Sequence, residues 1–106
     1  MLMDINIKTG KTKTISEEFV DSSITYISDE LSRYGNQITR VNVHLSDENG
    51  IKQGLNDKRC MVEARLAGLR PIAVIDVANT YEQAVFGAIH KLKTSLETIT
   101  GRLKNY

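Results

Sequence analysis

Three consecutive segments decide the fold: ITRVNVHLS (residues 38–46), the polar segment DENGIKQGLND (47–57) and KRCMVEARL (58–66). In the first and third segments every second residue is apolar, and these residues are Val41, Val43, Leu45, Cys60, Val62, Ala64 and Leu66. Side chains of a strand point alternately to its two faces, so this period of two predicts two strands joined by a long loop. One face of their sheet is expected to be buried.

The other face of these two strands is polar and partly basic. Its members are Arg40, Asn42, His44, Ser46, Arg59, Glu63 and Arg65. A sheet with one apolar face buries that face against another layer. We therefore expect helices from elsewhere in the chain to cover it.

A first amphipathic helix is predicted between Ser16 and Gly35. Ser16 is a good N-cap, and Glu17 and Glu18 favour the positive end of the helix dipole. Apolar residues then recur at spacings of four and three, namely Val20, Ile24, Ile27, Leu31 and Tyr34. Gly35 and Asn36 are expected to end this helix.

A second, longer helix is predicted at the C-terminal end. Its apolar residues are Tyr81, Val85, Ala88, Leu92, Leu96, Ile99 and Leu103. Two N-terminal caps fit the sequence: Asn79 with Glu82 as a capping box, or Thr80 with Gln83.

With a short alternating strand at Met3–Ile7 and a third apolar segment, IAVIDVA (72–78), the order is β-α-β-β-β-α. The predicted fold class is an α+β two-layer sandwich, with two helices packed on one face of a four-stranded sheet. Residues 1–106 are expected to form a single domain, since this length suits one core.

The net charge and the cysteine content bear on the class of protein and on its cellular setting. A formal net charge of +1 does not identify a nucleic-acid binder, although a protein with one basic and one acidic face remains compatible with it. Residues 16–34 are acidic, with five carboxylates and one arginine. A single cysteine and no long apolar segment favour a reduced, cytoplasmic protein without a membrane partner.

No catalytic, metal or cofactor site is predicted. Gly10-Lys11-Thr12 lacks the first glycine of a phosphate-binding loop, and the acidic start at Asp47 lacks the closing ligand of a calcium loop. His44 and His90 have no partner at ligand spacing. Cys60 is expected to be a small buried hydrophobe. The chain is therefore interpreted as a non-enzyme.

Basic residues supply the candidate phosphate contacts for RNA. The candidates are Lys91, Lys93, Arg102 and Lys104 of the last helix, Lys11 and Lys13 of the loop after the first strand, and Arg40, Arg59 and Arg65 of the sheet. Each of them, taken alone, is better explained as an ordinary solvated surface residue, and only the group as a whole suggests RNA. The polar sheet face offers no aromatic ring, which argues against base stacking on the sheet.

Three segments resemble one known family: ITRVNVHLSDENG, DKRCMVEARLAGLRPIAV and ANTYEQAVFGAIHKLKTSLE. They are similar to the hibernation-promoting factor and ribosome-associated inhibitor family, also called sigma 54 modulation protein-like, and the resemblance covers nearly all of the chain. It implies a fold similar in shape to a double-stranded-RNA-binding domain. It also implies the short form of the family, without the additional dimerising domain.

The resemblance further implies a translation modulator that binds the small ribosomal subunit and its rRNA, and that promotes hibernation or inhibits translation under stress. Lys91 and Leu92 match the family's basic-hydrophobic pair. Thr94 and Thr98 stand where arginine and lysine are common, and the first helix is acidic where the family usually has lysines. These departures keep an alternative open: a protein-interaction module with the same fold and a protein partner at the acidic first helix.

Overall fold

The computed structural model describes residues 3–10, 15–47 and 57–104, with side chains to Ile99. The predicted order of elements is confirmed. The elements are β1 (Asp4–Lys8), α1 (Glu17–Glu30), β2 (Ile38–Asp47), β3 (Lys58–Leu66), β4 (Ile72–Ala78) and α2 (Tyr81–Lys104), with a 3₁₀ turn (Ser32–Tyr34) after α1.

The four strands form one sheet in the order β1-β2-β3-β4. β1 and β2 are parallel, which requires a crossover connection, and α1 lies in it. β2–β3 and β3–β4 are antiparallel neighbours. Gly68 has a φ of +74°, so the connection between β3 and β4 uses a left-handed conformation that suits glycine.

Alternation along the strands gives the sheet two different faces. The covered face contributes Val41, Val43 and Leu45 of β2 and Cys60, Val62, Ala64 and Leu66 of β3 to one hydrophobic core. α1 and α2 pack on this face, and we call them, with the 3₁₀ turn, the helix layer. The predicted α+β two-layer sandwich is therefore confirmed.

The two helices run parallel to each other, as three successive contacts show. The ring centroids of Tyr26 and Phe86 lie 4.7 Å apart, Glu30 pairs with Lys93 one turn further along α1 and two turns further along α2, and the Tyr34 hydroxyl donates to the Glu97 carboxylate. α2 contacts β3 and β4, whereas α1 contacts β1. Both helix N-termini therefore lie at the same end of the molecule.

The end of α1 differs from the prediction, whereas the start of α2 agrees with one of the two predicted caps. α1 ends at Glu30, and the predicted last turn is a 3₁₀ turn that reaches Tyr34. α2 begins at Tyr81, where the Gln83 amide donates to the Thr80 hydroxyl at 3.1 Å, so the second of the two predicted caps is the one that forms. The Ser16 cap of α1 is confirmed by a 3.1 Å bond from the Phe19 amide.

The buried face of α1 is also rotated from the predicted stripe. Val20 and Ile24 are only half-buried, while Ser23 is 95% buried. Ile27, further along the predicted stripe, is fully buried. The helix therefore turns a small polar residue inward near its middle, which leaves space beside α2.

Candidate nucleic-acid interface

The side of the sheet opposite the helix layer is called the open sheet face. Its members are Asp4, Asn6 and Lys8 of β1, Arg40, Asn42, His44 and Ser46 of β2, Arg59, Met61, Glu63 and Arg65 of β3, and Ala73, Ile75 and Val77 of β4. None of the described helices packs on it. This face is polar on β1 and β2 and apolar at the β4 edge.

Two predicted arginines stand directly opposite each other on this face. Arg40 of β2 is the register partner of Arg65 of β3. Their side chains are 53% and 58% exposed, and each lies near one carboxylate: Arg40 Nε is 3.4 Å from Asp4, and Arg65 Nε is 3.7 Å from Glu63. Like charges directly opposed across strands are destabilising. A bound anion between them would relieve this repulsion.

Lys8 and His44 extend the same face. They are register partners across β1 and β2, four residues along the strand from Arg40. Lys8 is absent from the predicted candidates, although its alternation with Asp4 and Asn6 places it on the face that carries Arg40. The third sheet arginine, Arg59, lies opposite Ser46 on this face.

The two layers differ in charge. On the open sheet face the cations are Lys8, Arg40, Arg59 and Arg65 and the carboxylates are Asp4 and Glu63, which gives a net charge of +2. Among the described side chains of the helix layer, which end at Ile99 and so leave out Arg102 and Lys104, the carboxylates are Glu17, Glu18, Asp21, Asp29, Glu30, Glu82 and Glu97 and the cations are Arg33, Lys91 and Lys93, which gives −4. A polyanion is attracted to the first surface and repelled by the second.

Lys91 of α2 lies at the β4 edge of the sheet. Its Nζ is 3.1 Å from Asp76 Oδ1 and donates to the Ile75 carbonyl at 2.8 Å. Asp76 points toward α2 because Gly87 leaves room: a Cβ at position 87 would lie 2.0 Å from Asp76 Oδ2. Lys91 therefore links the helix layer to the sheet.

Lys93 lies on the opposite side of α2, between the helices. Its Nζ donates to Glu30 Oε1 at 3.0 Å, and the two side chains are 35% and 37% exposed. One turn further along, Glu97 accepts from the buried Tyr34 hydroxyl and lies 3.1 Å from Arg33. Burial, then the bond to Glu97, raises the pKa of Tyr34. These charged groups join the helices to each other.

The side chains of four other candidates lie outside the part of the chain that the structure describes. Lys11 and Lys13 fall outside the described residues, and Arg102 and Lys104 lie in α2, beyond the last described side chain. Among the described candidates, Arg40, Arg59 and Arg65 share one face, whereas Lys91 and Lys93 lie on different sides of α2. The structure thus gathers the sheet arginines and separates them from the helix lysines.

The described residues give little support for a metal site, a reactive thiol or a membrane-spanning helix. They contain no group of three or more His, Cys, Asp or Glu residues that could hold a metal ion. Cys60 is fully buried, as predicted, and burial raises the pKa of its thiol to about 12. None of the described helices combines the length and apolar character needed to cross a membrane.

Comparisons with known proteins give a matching family and similar solved structures. The model of the family described as sigma 54 modulation protein / S30EA ribosomal protein matches residues 6–104. A ribosomal subunit interface protein from Coxiella burnetii has a similar structure, with a TM-score of 0.72, 18% identity, and 93% of this chain and 99% of that chain covered.

The N-terminal domain of Protein Y from Thermus thermophilus is also similar, with a TM-score of 0.68, 15% identity and the same two coverages. At these identities the structural likeness shows the fold alone. No curated protein sequence is significantly similar to this chain.

Proposed function

We propose a ribosomal function for this chain, because it belongs to the sigma 54 modulation protein / S30EA ribosomal protein family. In this proposal it is a cytoplasmic, non-enzymatic translation modulator that binds the small ribosomal subunit through rRNA. Binding there under stress would promote hibernation or inhibit translation. The family resemblance of the sequence is thereby confirmed, and the partner and the stress role are what we propose.

The pair of opposed arginines on the open sheet face is the observation that supports this proposal most. Arg40 and Arg65 face each other at more than half exposure, with carboxylates only at 3.4 and 3.7 Å. Arginine forks match phosphate oxygens in geometry and charge. An rRNA phosphate between the two guanidinium groups would turn a repulsive pair into a bridged one.

The charge of the two layers supports a definite orientation. RNA phosphates would approach the open sheet face, with a net charge of +2, and not the helix layer, with −4 in its described part. Because the open sheet face has no Phe, Tyr or Trp among its described members, we expect it to contact the RNA backbone and not to stack on RNA bases. The helix layer would then face away from the RNA.

Sedimentation with purified small subunits tests the proposal. The full chain is expected to co-sediment at low salt and to dissociate as salt rises, because each phosphate contact releases condensed counterions. Charged hydrogen bonds contribute about 1.5–3 kcal/mol each, so Arg40→Ala and Arg65→Ala should each weaken association about 10-fold or more. Failure of the unmodified chain to bind at any salt concentration would overturn the proposal.

Lys93→Ala is the matched control. Lys93 is also a predicted candidate, but it lies in the helix layer and is paired with Glu30. We expect this variant to associate as the unmodified chain does. A loss as large as that of Arg65→Ala would place the RNA on the helix layer and contradict the orientation.

A further inference from the structure

A groove lies between the N-terminal halves of α1 and α2, on the side of the molecule opposite the open sheet face. It has a volume of about 270 Å³, and it is lined by Phe19, Ser22, Ser23, Tyr26, Glu82, Val85 and Phe86. Its floor and walls are therefore mainly aromatic and aliphatic, with two serine hydroxyls and one carboxylate.

The groove exists because α1 presents small residues where it faces α2. Ser23 is buried and Ser22 is exposed beside it, so neither fills the space between the helices. Phe86 is 43% exposed there, in contact with the tilted Tyr26 ring. The Lys93–Glu30 bridge lies beyond this ring pair, one turn along α1 and two turns along α2, and neither residue lines the groove.

The rim of the groove is acidic. Glu82 belongs to its lining, and Glu18 lies on the same helix face as Ser22, one turn nearer the N-terminus. Glu17 and Asp21 are exposed on the same end of α1. The cations described in the helix layer, Arg33, Lys91 and Lys93, all lie in ion pairs away from this end.

We propose that this groove binds a basic amphipathic helix of a protein partner. An apolar side chain of that helix would enter between Tyr26 and Phe86, and its lysines or arginines would meet Glu18 and Glu82. This is the helix-in-groove mode of recognition, in which apolar anchors recur at i, i+3 or i+4 and i+7. The negative rim repels RNA and selects for a cationic protein segment.

This inference does not rest on the ribosomal proposal. The groove and the open sheet face lie on opposite sides of the two-layer sandwich, so one molecule can use both at once. It gives a specific site to the protein partner that the acidic first helix predicts.

A synthetic peptide provides the test. The probe is a fluorescein-labelled amphipathic helix of about 18 residues, five turns, with leucine on one face and lysine on the other. Its affinity for the full chain is measured by fluorescence anisotropy, and its site by amide chemical shifts. We expect saturable binding with the largest shifts at Ser22, Ser23 and Phe86, and no binding of the same peptide with glutamate in place of lysine.

Two groove variants and two matched controls separate a specific site from general charge attraction. Ser22→Arg fills the groove and offsets one of its negative charges, and Phe86→Ser removes an exposed ring; each should weaken binding at least 10-fold. Ile75→Ser alters a side chain of equal exposure, 42%, on the open sheet face and should leave the affinity unchanged. Glu82→Gln should weaken binding several-fold, whereas Glu63→Gln on the open sheet face should not.

Equal affinity of Phe86→Ser and Ile75→Ser would overturn the inference, as would shifts centred on the open sheet face. Arg40→Ala and Arg65→Ala should bind the peptide normally. Failure of the groove proposal is therefore distinguishable from failure of the ribosomal one.

Discussion

The open sheet face and the helix layer both carry many charged side chains, but they use them differently. In the helix layer, cations join elements: Lys93 bridges α2 to α1 and Lys91 bridges α2 to β4. On the open sheet face, Arg40 of β2 lies 3.4 Å from Asp4 of β1, Arg65 lies 3.7 Å from Glu63 of its own strand, and the two arginines face each other. The helix-layer lysines therefore lie in ion pairs of 3.0 and 3.1 Å between elements, whereas the two sheet arginines have longer ion pairs and each faces a like charge.

The two sets of cations differ in the lengths of their ion pairs and in the like charge that faces each sheet arginine. Both sets look alike in the sequence, since lysines and arginines at exposed positions are common to each. Only the side-chain partners distinguish them. Substitutions on the covered and the open sides of the molecule can therefore separate the two.

Removing apolar side-chain atoms should lower the free energy of unfolding strongly on the covered face of the sheet and little on the open sheet face. Leu92 is fully buried, so Leu92→Ala is expected to lower the free energy of unfolding by about 2–5 kcal/mol. Ile75 is 42% exposed on the open sheet face, and Ile75→Ala should cost less than about 1 kcal/mol. Urea denaturation measures both. A comparable loss at Ile75 would mean that this face is covered.

Cys60 should make the covered side sensitive to high pH. Its folded pKa of about 12 lies above the ordinary value of 9.0, so the unfolded chain loses the thiol proton first. The stabilisation that the protonated thiol gives to the folded state is present below pH 9. It is lost between pH 9 and pH 12, at about 1.4 kcal/mol per pH unit.

Cys60→Ala is the comparison for that measurement, since all other groups titrate in both proteins. Between pH 8 and pH 11, under reducing conditions, the unmodified chain should lose more stability than the variant. Parallel stability curves would show that the thiol is not desolvated.

Gly87 and Asp76 should be coupled across the junction of the two layers. Alanine in place of glycine inside a helix usually adds about 0.5–1 kcal/mol of stability. Here its Cβ would collide with the Asp76 carboxylate, so Gly87→Ala should gain little or lose stability. In an Asp76→Ala background the gain should return. A gain of the same size in both backgrounds would refute the coupling.

The smallest effect is expected for the bridge between the helices. Lys93 and Glu30 are each about one-third exposed, and such pairs contribute about 0.2–1 kcal/mol. A double-mutant cycle of Lys93→Ala and Glu30→Ala should give a coupling in this range at low salt. It should approach zero at about 1 M salt, where charges are screened within a few ångströms. Salt-independent coupling would point to packing and not charge.

Much of the fold could be predicted because it follows from local periodicity. The β3 and β4 segments have the predicted bounds, and Cys60 is on the covered face as its alternation indicates. The inward direction of α1 could not be predicted in the same way. Its apolar residues surround more than one side of the helix, and packing against α2 decided that Ser23 and not Val20 turned inward.

The candidate site was less predictable because its ion pairs join residues that are far apart in the sequence. The sheet arginines share a face by alternation alone, and this could be read from the sequence. The partners of Lys91 and Lys93 are Asp76 and Glu30, which are 15 and 63 residues away. No local pattern indicates such pairs. The groove between the helices depends in the same way on which side of each helix meets the other.

The contact between Lys91 and the Ile75 carbonyl has a consequence for self-association. β4 is an edge strand, and its sequence IAVIDVA is rich in β-branched residues of the kind that recruit identical strands into fibrils. Lys91 occupies a backbone acceptor that an incoming strand would need and places a charge at that position. We therefore expect the resistance of the chain to aggregation to depend on α2 remaining docked on β4, and not only on the polarity of its surface.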